Sequence, residues 1–175
     1  MAANGYSAIT ARLVTELSTL AGYSSIVVQR RLWRASGLPA FERYCIIVSP
    51  AARPWDEERI GVGNIAYHYR VDLYLVVRNW TADVSDAPLF GTTAGSLGLF
   101  QMLEDVKTML RLSNLGGLID KTYDEPGGDT RALGAGGVEF GETAAQGLDS
   151  DEFTFAWRAR LPYKARGLPF CHPRL

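Results

Sequence analysis

The sequence predicts an α+β fold, with one antiparallel sheet of long strands and two amphipathic helices packed on one of its faces. Three observations carry this. In residues 65–78 every odd position is apolar or aromatic (Ile65, Tyr67, Tyr69, Val71, Leu73, Leu75, Val77), while His68, Arg70, Asp72 and Arg78 take even positions. A second alternating run, Phe153, Phe155, Trp157, Ala159, Leu161 and Tyr163, lies near the end of the chain, interleaved with Thr154, Ala156, Arg158 and Arg160. Two other segments repeat at helical spacing instead. Strand side chains point alternately to opposite faces, so a period of two places one face in a core and the other in water or against a partner. At roughly 3.3 Å per residue the first run would exceed 40 Å, and a one-residue slip would bury its arginines, so its register is tightly specified.

The elements follow in order. Tyr6, Ile9, Leu13, Leu17 and Leu20 recur as one face of a helix, with Ser7 as N-cap and Gly22 as its stop. Ser25 to Leu32 and Tyr44 to Val48 are rich in β-branched residues and read as strands, separated by a loop carrying Gly37 and Pro39. Pro50 to Arg59 holds two prolines, Trp55 and an acidic run, which reads as a loop or hairpin tip. After the long strand, residues 79–95 are rich in Thr, Asp, Gly and Pro. Leu99, Leu103, Val106 and Leu110 then line a second helix, widened by Phe100, Met102 and Met109 and ended by Asn114, Gly116 and Gly117. Leu118 to Tyr123 could form a short strand.

Residues 124–151 differ in kind. They hold glycines 127, 128, 134, 136, 137, 141 and 147, with Leu133, Val138, Phe140 and Leu148 as the sizeable apolar anchors. A stretch of that composition is expected to be an extended loop that orders against a partner. Residues 164–175, with Pro169 and Pro173, read as a C-terminal arm.

The chain has 175 residues, 47% hydrophobic and 21% charged, and a formal charge of −1. This is the composition of a single globular domain with a substantial core and no global attraction to nucleic acid or an anionic membrane. No apolar run approaches the roughly 20 residues that span a bilayer. The opening residues lack the basic-then-apolar layout of a signal peptide, so a cytoplasmic site of synthesis and use is expected. Two cysteines, Cys45 in an apolar run and Cys171 in the arm, fit reduced thiols.

Chemistry-bearing motifs are sparse. Residues 61–66, Gly-Val-Gly-Asn-Ile-Ala, match a dinucleotide-binding pattern in letters, but that motif needs a strand before and a helix after it, and here a strand follows. With His68 and His172 the only histidines, a Ser-His-Asp or Cys-His site would have to use one of them. His68 lies mid-strand among charged neighbours, where a hydrogen-bonded histidine is the expected role. Metal-ligand spacings of the Cys-x-x-Cys or His-Glu-x-x-His kind are missing, and Asp149-Ser-Asp151 reads as a turn. Asn79-Trp-Thr81 fits a glycosylation sequon in letters only. Tyr67, Tyr69 and Tyr74 beside Arg70 and Arg78 could stack single-stranded nucleic acid, but two of them share the apolar face, where core packing is the usual role. A small enzyme with its site in 124–151 would have to draw on Asp129, Glu139, Glu142 and Asp149, which are scattered among glycines without a histidine. The expectation is a non-enzyme without cofactor or metal.

The order of elements carries a resemblance. An amphipathic helix, a strand pair, the long strand ending Leu-Tyr-Leu-Val-Val-Arg, the helix Leu-Phe-Gln-Met-Leu-Glu-Asp-Val-Lys-Thr-Met-Leu, a variable loop and the strand Phe-Thr-Phe-Ala-Trp-Arg-Ala-Arg-Leu together resemble the tail terminator and tail-completion family of long-tailed bacteriophages. The likeness spans nearly the whole chain and rests on layout, and 124–151 is longer than that layout requires. It implies an α+β structural protein of the virion, assembled in the host cytoplasm as a ring, usually hexameric. Such a ring caps the tail tube, ends its polymerisation and joins it to the head connector, with genomic DNA passing through the lumen. A neck or tail-tube subunit could share the same layout. On this reading Val138 and Phe140, and Leu168 and Phe170, are expected contact residues because one subunit has little means to cover them, and Trp55 with Asp56, Glu57 and Glu58 because an apolar ring beside charges suits an interface rim.

Overall fold

The computed structural model describes residues 2–34, 38–60, 62–78, 87–91, 96–120, 138–150, 153–168 and 170–171. Three helices occur among them, α1 (Ala2–Leu17), the single turn α2 (Ala87–Phe90) and α3 (Leu99–Leu112). The strands are β1 (Val27–Arg30), β2 (Tyr44–Arg59), β3 (Asn64–Arg78), β4 (Val138–Phe140), β5 (Ala144–Ser150), β6 (Phe153–Arg166) and β7 (Phe170–Cys171). They form one sheet in the order β1-β2-β3-β6-β4, with β5 also on β6 and β7 also on β3. All pairings are antiparallel except β1 with β2. The α+β class read from the sequence is the fold observed.

The odd face of β3 meets both helices. Ile9, Leu13 and Leu17 of α1 and Leu99, Leu103 and Val106 of α3 share one buried cluster with Val71, Leu73 and Leu75. Trp157 packs against its edge, and the side chain of Phe155, expected in the same core, lies outside the described residues. Helix α1 begins five residues before the expected cap, so Ser7 lies inside it; the Thr10 hydroxyl donates to the carbonyls of Tyr6 and Ser7. Gly5 sits within that helix because a Cβ there would stand 2.1 Å from the Tyr69 hydroxyl oxygen. Close approach to the sheet outweighs the usual cost of a helical glycine.

Four expectations are corrected. Residues 50–59 are not a hairpin tip but the second half of β2, paired with β3 as far as Arg59↔Ile65. The two prolines are accommodated because the register shifts between Pro50 and Trp55, at the kind of bulge that tolerates a missing donor. The turn lies beyond Ile60, where Gly63 has φ +90°. Second, β1 runs parallel to β2, and parallel neighbours need a crossover. Of the connection, Trp33, Leu38 and Phe41 lie on the face away from the helices, where Phe41 covers Cys45, Ile47, Val76 and Ala156. Trp33 stacks on Tyr74 at 4.5 Å with the Arg158 guanidinium over both rings, so much of the supposedly wet side of β3 is covered by its own chain.

Third, the second half of 124–151 is sheet: β4 and β5 both pair with β6, while residues 121–137 lie outside the described residues. Backbone pairing to a long neighbouring strand supplies the order that the sparse apolar side chains could not. Fourth, residues 164–166 belong to β6, and the arm continues in the same direction along β3 as β7, its register offset by one residue from that of β6. Of the short strand expected at Leu118 to Tyr123, the described part follows a 3-10 turn at Leu115–Gly117 and makes a bridge from Ile119 to Gly167, while residues 121–123 lie outside the described residues.

Candidate assembly interface

The residues singled out for contact converge on one end of the sheet. Trp55 pairs with Tyr69, Tyr69 with Ala165 and Ala165 with Val138, which makes a row across four strands. The arm joins the same end through Ile65↔Phe170. Nothing in the sequence order links Trp55, Val138 and Phe170; only the sheet does. The side chains of Val138 and Phe170 lie outside the described residues.

The N-terminal part of helix α1 meets this row. The Tyr6 ring lies 5.7 Å from Trp55 and 6.4 Å from Tyr69, and burial, reinforced by the Asp72 charge, pushes its phenol up to about 12. Sixteen residues of α-helix extend only about 24 Å, against about 50 Å for the 16 residues of β2. The far ribbon, Asp56–Arg59 with Ile65–His68, therefore outruns the helical layer. Beside it, Val62 is 89% exposed, Leu168 52% and Trp55 38%.

Ala66 is buried and Tyr67 packs against the core, and ion pairs hold the rest of the ribbon. Glu58 Oε2 lies 2.8 Å from His68 Nε2 and 3.0 Å from Arg166 Nε, while Arg166 Nη1 is 3.3 Å from Asp120 Oδ2. Arg166 and Asp120 are buried, and the Asp120 amide donates to the Arg166 carbonyl. His68 is thus hydrogen-bonded to Glu58. Asp56 pairs with Arg70 in its own chain. All three acidic residues expected at a contact thus have cationic partners in their own chain, Glu57 lying 3.8 Å from Arg59, and Glu57 is the most exposed of them.

Phe140 is also more self-contained than its composition suggested. Its ring lies 5.9 Å from that of Tyr163, and the Arg111 guanidinium of α3 sits 5.4 Å from its centre. Leu168 remains exposed, next to Gly167, whose amide donates to the Tyr67 carbonyl and where a Cβ would meet the Tyr69 ring at 2.7 Å. Sequence reasoning missed Val62 and the Arg166–Asp120 pair. Val62 could have been flagged as a large apolar residue between two glycines, whereas a pair 46 residues apart has no local signature.

Among the described residues no three His, Cys, Asp or Glu side chains come together as a metal site, and no helix is long and apolar enough to cross a membrane. No protein-family model matches this sequence, and no curated protein matches it.

Proposed function

We propose that this chain is a structural subunit that assembles with copies of itself into a ring, and that the ring caps the tail tube of a long-tailed phage. One observation supports this above the others: a sheet end of about 50 Å strands runs beyond the helices that cover its other half and carries Val62, Trp55 and Leu168 exposed. A lone domain has no evident need for such a ribbon, and exposed apolar groups beside charges suit an interface core with its polar border. The ribbon end and the β5 edge of the sheet are different surfaces, so a contact between them would be head-to-tail. Head-to-tail contacts close into rings when the rotation permits.

The deciding experiment is mass measurement and negative-stain microscopy of the purified protein, alone and mixed with tube protein. Closed rings that bind tube ends and arrest elongation are expected. A protein that stays monomeric in both settings and leaves tube length unlimited would end this reading. Rings that stack into tubes of their own would favour a tube subunit instead.

A further inference from the structure

We infer that the helix-free face of the sheet carries a binding cleft for a phosphate-bearing ligand, a property the ring reading neither requires nor supplies. The cleft has a volume of about 490 Å³ and lies across three strands, with Arg53 from the β2 bulge, Arg70 and Asp72 from β3, and Arg160 and Lys164 from β6 among its lining. Register places these on one face: Arg70 is opposite Lys164, Asp72 is opposite Pro162, and Arg160 reaches Asp72 from the next pair.

The charge is unbalanced. Four cations and one carboxylate line the cleft, and Asp56 pairs with Arg70 just outside it. The two central arginines are oriented by their own partners. Arg160 uses a single nitrogen, Nη2, to reach both oxygens of Asp72 at 3.0 and 3.1 Å, so Nε and Nη1 of the fork are not spent on that contact. Arg70 is held by Asp56. Guanidiniums fixed in this way lose little freedom on meeting an anion.

The donors approach from three strands, around a space too large for a single small ion. A carboxylate presents two oxygens in one plane, whereas a phosphate presents up to three strong acceptors in a pyramid, which matches cations converging from several directions. The floor includes Pro162, held in place by Gly141, whose missing Cβ would stand 3.0 Å from the Pro162 side chain. A sugar or base attached to the phosphate would have that apolar surface to rest on. The shared chemistry is a phosphate group on an organic scaffold, either a free nucleotide or consecutive phosphates of a nucleic-acid strand.

The test is calorimetric titration of the whole protein, at low and moderate salt, with inorganic phosphate, adenosine monophosphate, a short DNA oligonucleotide and a polyglutamate peptide. Arg53 is exposed and Lys164 half-buried, so Arg53→Gln and the double variant Arg53→Gln/Lys164→Gln should leave the fold intact, which circular dichroism would verify. Loss of charge-assisted contacts should weaken binding roughly tenfold or more. Adenosine monophosphate or DNA bound by the native protein and weakened in the variants supports the cleft. If DNA binds and the mononucleotide does not, the ligand is a strand; the reverse identifies a free nucleotide. Failure of both phosphates to bind at millimolar concentration, binding unchanged in the folded variants, or polyglutamate bound as tightly as either phosphate would each overturn it. Ring formation is scored separately, so loss of the cleft and loss of the ring reading are distinguishable.

Discussion

Arg160 and Asp72 are 88 residues apart in sequence, yet Nη2 of the arginine lies within 3.1 Å of both carboxylate oxygens. The pair ties β6 to β3 on the face that has no helix. Asp72 is buried while the arginine is half exposed, so water screens the interaction and the coupling should be about 1 kcal/mol, well below that of a fully buried pair. A double-mutant cycle with Arg160→Ala and Asp72→Asn, followed by urea unfolding, measures it. Strict additivity of the two substitutions would show that the contact is not formed in solution.

Leu73 is fully buried at the centre of the core between the two helices and the sheet. Leu73→Ala should cost about 2–5 kcal/mol through lost transfer energy and the cavity left behind. Thermal and urea denaturation would show this as a lowered midpoint with an unchanged slope.

Gly98, the N-cap of α3, should not tolerate alanine. A Cβ there would lie 2.3 Å from the Gly91 nitrogen and 2.4 Å from the Leu89 carbonyl oxygen, both backbone atoms that cannot rotate aside. The expected loss is about 1–3 kcal/mol, typical of overpacking. Gly63→Ala is the comparison: nothing stands within 4 Å of its Cβ position, so only the strain of its φ of +90° is paid. Its melting temperature should fall less than that of Gly98→Ala.

At alkaline pH the fold should weaken. Burial pushes the Cys45 thiol up from 9.0 to about 12 and the Tyr6 phenol up from 10.0 to about 12, and burial with a hydrogen bond to Asp105 raises Tyr23 as well. Below pH 9 both states keep these protons and pH has no leverage. Between about 9 and 12 the unfolded chain releases them while the native state does not, so stability falls as pH rises through that window. Denaturation midpoints at stepped pH, with phenolate absorbance followed in parallel, would show phenol ionisation tracking unfolding; a midpoint constant to pH 11 would contradict these burials.

Val62→Ser with Leu168→Ser separates folding from assembly. Both side chains are exposed, and surface changes usually fall within about 0.5 kcal/mol, so the melting temperature of the subunit should barely move. Oligomerisation, read by sedimentation, should be lost or greatly weakened. Unaltered rings in this variant would place the subunit contact elsewhere on the sheet.

The α+β class, the long strand at 65–78, the strand over 153–163 and both amphipathic helices were legible in the sequence because each depends on local periodicity. Side chains that must share a face recur every two or every 3.6 residues, whatever else the chain does. The core residues Ile9, Leu73 and Val106 followed from the same rule. What only the tertiary structure decided is pairing. Pro50 and Pro54 argued locally for a loop, but β3 offered a neighbour long enough to carry β2 past them on a bulge. Val138 to Phe140 is too short to show a period, and it became a strand because β6 presented an edge to it. Pairing energy depends on a partner distant in sequence, which is also why Arg166 and Asp120, or the row from Trp55 to Val138, could not be read from either member alone.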